Sequence, residues 1–381
     1  MYRYVCMRTE SQSLVRLPAL DGLRGIAALA VVLYHYQTRP IVPGGLFGVD
    51  LFFVLSGFLI TSLLVQEWQQ TGGIDLAAFY RRRCLRLLPA ALASVAAYTA
   101  IVVVLSGDEK VAALTANDAI ANAGLFLSQG YNWALIEDVA PSGGYAPLWS
   151  LAVEVQFYLV LPVLLVALLH GGLRLPFLLL ACATMAIASI GVPFVLNEPL
   201  WHRVAFGTDF RAHQLLIGAC AGILYASGRI DPKVVRSPIF LTSLAPSIIV
   251  IVYVMLRLDQ RYLFTEHQWL FPLFAIASAI IVVAAACGDH VAEMRVFKSP
   301  VLTWLGRRSY AIYLWHFPMG LLFASLTMEG QLLVAGGMTL AIAEVSHRLI
   351  EAPALRWRRQ RRPATEHRQP NGAARAAANA A

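Results

Sequence analysis

Ten apolar stretches follow one another along this chain, each close to the roughly 20 residues that a helix needs to cross a bilayer core. They occupy residues 18 to 37, 47 to 66, 87 to 106, 149 to 169, 174 to 192, 210 to 227, 238 to 256, 268 to 287, 302 to 326 and 331 to 350. With 58% hydrophobic and 14% charged residues, the chain is neither an ordinary soluble domain nor a disordered one. The expected fold is all-α, a polytopic transmembrane bundle of about ten spans.

Basic residues set the orientation. If the N-terminus is cytoplasmic, the inner segments hold Arg81, Arg82, Arg83 and Arg86, then Arg229, Lys233 and Arg236, then Arg295, Lys298, Arg307 and Arg308, and finally RWRRQRR. The outer ones hold only Arg39, Lys110, Arg203, Arg211, Arg257 and Arg261, and the longest is acidic at Asp108, Glu109, Glu137 and Asp138. The positive-inside rule therefore predicts a multi-pass protein of the inner (plasma) membrane with both termini in the cytoplasm. The formal net charge of +8 is accounted for by topology and does not point to nucleic acid.

Residues 1 to 17 form a cytoplasmic N-terminal segment with no apolar core or small-residue cleavage site, so no cleaved signal peptide is expected, and Met7 is an alternative start. Residues 18 to 355 form the membrane domain, and 356 to 381 a basic, disordered cytoplasmic tail. The five cysteines are scattered, with no C-x-x-C, and read as reduced and structural. The one long connection, 106 to 148, contains VAALTANDAIANAGLFLSQG, whose helical spacing predicts a segment lying at the outer interface or re-entering the bundle.

Ionisable residues inside a membrane helix are costly and mark pathways or sites. In LDGLRGIAALAVVLYHY, Arg24 and His35 are eleven positions apart, so they share one stripe of the helix, separated by about 16 Å along its axis. Counting inward from the helix ends places His35, Asp50, Glu154 and His316 together in the outer third, with Arg24 and the arginines of RRRCLR below them. His35 and Asp50 are at a height where they can meet, and a carboxylate against the imidazole would fix its tautomer. Each residue also has a plain reading. Arg24 serves as a snorkelling anchor and the other arginines as topology signals. The histidines bond backbone carbonyls, Glu154 sits in the favourable field of a helix start, and Asp50 is a cap. Four such residues at one depth favour a site.

Walker, GxGxxG, G-x-S-x-G and H-E-x-x-H signatures are absent. Glu344, His347 and Glu351 share a helix face, but no metal is expected there.

Seven stretches together are similar to the acyltransferase type 3 family, over about residues 18 to 353: LDGLRGIAALAVVLYHY, GVDLFFVLSGFLIT, FYRRRCLRLLPA, WSLAVEVQFYLVLP, TDFRAHQLLIG, SYAIYLWHFP and LIEAP. The resemblance implies transfer of an acyl group, most often acetyl from acetyl-CoA, to a hydroxyl of a sugar or lipid-linked glycan. No cofactor is held permanently. Carried over, the family's arginine and histidine fall on Arg24 and His35, its acid on Asp50, its basic motif on Arg82, Arg83 and Arg86, its glutamate on Glu154 and its late histidine on His316. Acceptor contacts fall on Trp149, Ser150, Asp209 and Arg211. The chain departs from the family at Val155, where members often have a second acid, and at His213, where many have an acid.

The implied mechanism has His35, oriented by Asp50, as general base, with a covalent acyl-histidine as the rival chemistry. Arg24, Arg82, Arg83 and Arg86 bind the donor's phosphates from the cytoplasm. Glu154 and His316 position the acceptor or help protonate the leaving thiolate. The alternative class is a transporter or flippase of a lipid-linked sugar, which the lack of internal repeats disfavours. Acceptor, acyl chain and oligomeric state are left open.

Overall fold

A proline at the first position of a helix loses no hydrogen bond, and the first helix begins at one: α1 spans Pro18–His35. The computed structural model describes residues 17–36, 41–105, 115–140, 143–196, 201–258, 267–287 and 291–354. After α1 come α2 (Phe47–Thr71) and α3 (Leu76–Leu105), then two short helices, α4 (Ala116–Leu127) and α5 (Tyr131–Ile136). They are followed by α6 (Leu148–His170), α7 (Leu175–Val195), α8 (Trp201–Phe206), α9 (Thr208–Ala226), α10 (Pro232–Val235), α11 (Pro238–Arg257) and α12 (Leu270–Ala286). A 3₁₀ segment, Ala292–Lys298, leads into α13 (Pro300–Leu322), and α14 (Met328–Ala354) contains two π-helical stretches. No strand occurs among the described residues.

Each of the ten apolar stretches falls on a helix over most of its described residues. Six helices (α2, α3, α6, α7, α11 and α14) are long and apolar enough to cross a membrane, and α12 is apolar but shorter. The remaining three, α1, α9 and α13, are those that carry Arg24 and His35, Arg211 and His213, and Arg307, Arg308 and His316. One boundary moves materially: α3 starts at Leu76, not near 87, because Asp75 accepts from the backbone N–H of Ala78 and opens the helix there. The RRRCLR motif is therefore wound into the helix. α2 ends where Gly72 takes a left-handed conformation (φ +72°), an ordinary helix stop for glycine.

The expected helix in the long connection is α4. Thr115 and Asp118 cap each other's backbone N–H groups at its start, and Ala119, Asn122 and Phe126 are its buried face. It packs on α3, α5 and α6. The N-terminal segment (residue 17 apart) and the tail from 355 lie outside the described residues.

Two close helix pairs frame the interior. α1 packs on α13, where a Cβ on Gly306 would stand 1.7 Å from the carbonyl oxygen of Asp21. α2 packs on α9, where Gly57 faces Leu215 and Gly218 faces Val54 at comparable closeness. Small residues let helix backbones approach where no hydrophobic force drives association, as between helices in lipid. Apolar side chains such as Ile187, Phe194, Ile239 and Leu349 cover the outside, well exposed.

Candidate active site

His35 is the last residue of α1 and His316 sits more than four turns into α13, so the close α1–α13 packing brings the two rings together. Their centroids are 5.0 Å apart, and His316 Nε2 lies 3.2 Å from His35 Nδ1. Backbone carbonyls decide the tautomers, because they only accept. His316 Nδ1 is 2.7 Å from the Tyr313 oxygen and must carry a proton, which makes its Nε2 a lone pair. His35 Nδ1, 2.9 Å from the Val31 oxygen, carries a proton too and shares it between Val31 and His316. The free nitrogen of the pair is therefore His35 Nε2. A proton arriving there leaves every existing bond intact, whereas one on His316 Nε2 would face the N–H of His35. Tyr34 and Phe317 close on His35 edge-on, and His316 is fully buried.

A narrow cavity of about 40 Å³ begins one turn below His316. Tyr313 and Ser150 form its upper wall, their hydroxyls 2.6 Å apart, and the Tyr313 ring lies 5.4 Å from that of His316. Lower down it is lined by Arg24, Ser56, Glu154, Ser309 and Tyr310. Glu154 accepts from the hydroxyls of Ser56 and Tyr158. The guanidinium of Arg83 sits 5.3 Å from the Tyr158 ring centroid. Arg24 donates through Nε to Ser309 Oγ at 3.4 Å and lies 5.9 Å from the Phe52 ring centroid. Arg24 and Arg83 are within electrostatic reach of each other, of Arg86 and of Glu154, and Arg24 also of Asp21. Three cations thus stand near two carboxylates, Glu154 and Asp21, a net positive charge suited to an anion with several oxygens.

The structure corrects the expected partner of His35. Asp50 does not orient it. Asp50 Oδ1 instead accepts from Arg211 Nη1 at 2.8 Å and from the Gln214 amide, and Arg211 also donates to the Ala205 carbonyl at 2.9 Å. The α2–α9 packing produces this pairing, by turning Asp50 towards α9 and away from α1. Trp149 and Phe271 lie 5.3 Å and 4.6 Å from the Arg211 guanidinium, so the ion pair is enclosed in aromatic surface. Glu154 is not level with the histidines either. It is bonded to Ser56, six residues or about 9 Å further along α2 than Asp50, and so belongs with the arginines.

The other expected residues divide. Ser150 lines the cavity, while Trp149 packs against Arg211. Asp209 binds Arg203 at 2.7 Å. Arg82 points away from Arg83 and meets Glu67 at 3.5 Å. Glu344 is held by Arg308 and Arg348, and no cluster of metal-ligating side chains occurs among the described residues. Ser56, Ser309, Tyr310 and Tyr313 line the cavity without having been singled out in the sequence. A signal for some of them exists: Ser150, Glu154 and Tyr158, and again Ser309, Tyr313 and His316, repeat at helical spacing on otherwise apolar helices.

A family model described as an acyltransferase domain matches residues 17–343. The chain is 31% identical over 366 residues to the peptidoglycan O-acetyltransferase OatA of Listeria monocytogenes, covering 91% of this chain and 57% of that protein. It is 30% identical over 353 residues to the O-acetyltransferase OatA of Staphylococcus aureus, covering 88% and 57%. A provisionally named O-acetyltransferase of Staphylococcus aureus strain COL is 31% identical over 374 residues, covering 92% and 60%. The chain thus spans somewhat over half the length of these curated relatives. No solved structure matches.

Proposed function

The chain belongs to the acyltransferase type 3 family, and on that premise we propose that it moves an acyl group, acetyl first, from a cytoplasmic acyl-CoA to a hydroxyl of a carbohydrate or lipid-linked acceptor. In this reading ten helices span the inner membrane, with both termini in the cytoplasm. A relative is named a peptidoglycan O-acetyltransferase, and a glycan of the cell envelope is accordingly the acceptor class to try first.

The observation that carries the reading is the free Nε2 of His35, backed by His316 and standing above a cavity that Arg24 lines at its lower end, with Arg83 and Arg86 near Arg24. Arg24, Arg83 and Arg86 hold the donor's phosphates, and the roughly 16 Å from Arg24 to His35 suits an extended pantetheine arm. The arm runs up the cavity past Tyr313. His35 Nε2 takes the proton of the acceptor hydroxyl as its oxygen attacks the thioester carbonyl. The tetrahedral intermediate then expels the thiolate, which takes the proton back from His35, giving ester and free CoA. His316 holds the Nδ1–H of His35, so the base keeps one tautomer throughout.

The test is turnover of labelled acetyl-CoA by the purified protein in nanodiscs, beside His35→Ala and Arg24→Ala. Transfer or slow hydrolysis by the native protein, lost in both variants, supports the reading. If acyl-CoA is neither bound nor consumed, the transfer reading fails and transport of a lipid-linked sugar takes its place.

A further inference from the structure

The residue that follows the candidate base has no role in the scheme above, yet it is among the most enclosed side chains of the molecule. Tyr36 is fully buried. Its ring lies flat enough on α13 that a Cβ at Gly320 would stand 2.8 Å from its Cε1, and its other edge is 3.9 Å from the equivalent position at Gly336 of α14. Glycines on two helices leave a slot that the ring fills. At the end of the slot its hydroxyl is 2.6 Å from the backbone oxygen of His316 and 2.6 Å from Thr339 Oγ1.

The direction of this chain of bonds is fixed by the carbonyl. The oxygen of His316 can only accept, so the Tyr36 hydroxyl donates to it, and Thr339, itself buried, must donate to Tyr36. Hydrogen bonds in series polarise one another, and in a dry interior none of the three groups has water to fall back on. The placement matters because α1 ends at His35: the carbonyls of a helix's last turn lack N–H donors beyond it, and the turn frays unless something holds it. The backbone N–H of Tyr36 bonds Val32, which closes that turn, and its side chain ties the turn to α13 at the residue that faces His35.

We propose that Tyr36 is a positioning residue: through the relay from Thr339 to Tyr36 to the His316 carbonyl it sets the separation of the two imidazoles. The kinetic part of this inference rests on the acyl-transfer reading; the geometric part does not. Tyr36→Phe removes one oxygen and leaves the ring in its slot, so the bundle is retained. The expected kinetic result is a several-fold loss of kcat, at most about the tenfold expected for removing the His316 acceptor itself, with KM for acetyl-CoA unchanged and a displaced pH profile of kcat. Thr339→Val gives a smaller loss in the same direction, Thr339→Ser restores most of it, and Tyr36→Phe with Thr339→Val is no worse than Tyr36→Phe alone.

Nitrogen-15 spectra of labelled histidines supply a readout that needs no turnover. In the native protein His35 and His316 show the Nδ1–H tautomer with His316 Nε2 at the shift of a hydrogen-bonded acceptor, and in Tyr36→Phe the tautomers are kept by Val31 and Tyr313 while the His316 Nε2 signal moves to that of a free lone pair. Unchanged histidine spectra in the folded variant overturn the proposal, whatever the activity does. Changed spectra with no activity in the native protein would leave the positioning role standing and sink the acyl-transfer reading. Independent, additive losses from Tyr36→Phe and Thr339→Val would also count against a relay.

Discussion

Arg211 and Asp50, 161 residues apart in sequence, meet at 2.8 Å with their side chains 4% and 3% exposed. Removing either partner strands the other charge where water cannot reach it, which typically costs about 3–5 kcal/mol. Asp50→Ala and Arg211→Ala should therefore lower the unfolding temperature steeply, and Asp50→Asn paired with Arg211→Met should recover part of the loss. Thermal unfolding in detergent measures this directly. Activity per folded molecule should hold in the recovered double variant. A stable but inactive Asp50→Asn would instead return the carboxylate to the chemistry.

The same pair marks where sequence reading stopped. The ten apolar runs all fall on helices, since length and hydropathy are local properties. Counting residues along a helix also gave heights, and His35 with His316 were placed at one level correctly. Height says nothing about rotation around the bundle. Asp50 is level with His35 but turned towards α9, because Gly57 and Gly218 let α2 and α9 pack tightly on that side. Glu154 was assigned to the outer group because it is near a helix start, yet six residues of α6 precede it, enough to carry it down to Ser56. Ser309 and Tyr313 were legible as a polar stripe running up to His316. A stripe of hydroxyls carries no charge, and it stands out less than one arginine.

Adjacent residues on a helix point about 100° apart, and this separates two neighbouring arginines. Arg82 is turned to Glu67 near the surface, whereas Arg83 lies over Tyr158 beside Glu154. Arg83→Ala and Arg86→Ala should weaken binding of CoA about tenfold to a hundredfold, as loss of a charge-assisted hydrogen bond would. Arg82→Ala should leave binding within about twofold. Calorimetry with CoA itself, without an acceptor, compares the three. Equal weakening by Arg82→Ala would mean that the phosphates sit on the other face of α3.

The α1–α13 contact should tolerate no added bulk. A Cβ at Gly306 collides with the backbone oxygen of Asp21 at 1.7 Å, and backbone cannot move aside as a side chain can. Gly306→Ala must separate the two helices that carry the histidines, at about 2 kcal/mol for an overpacked site. The unfolding temperature should fall, and the surviving protein should lose activity as well, because the same shift widens the His35–His316 gap. Gly73→Ala, with nothing within 4 Å of the added atom, is the control for glycine replacement itself.

His316 differs from His35 in what its loss should do. Its Nε2 accepts from His35 Nδ1–H, but its own Nδ1 is committed to the Tyr313 carbonyl, so it has no nitrogen left for a substrate. A general base contributes about 10²- to 10⁴-fold to rate, and His35→Ala should remove all of that. His316→Phe keeps the ring volume and deletes the acceptor, while His35 retains its bond to Val31 at 2.9 Å. The expected result is a partial loss of kcat, about tenfold, with donor binding intact. Single-turnover rates with saturating acetyl-CoA distinguish the two roles. A His316→Phe variant as inactive as His35→Ala would show that His316 handles the proton itself, and the order of the pair would have to be reversed.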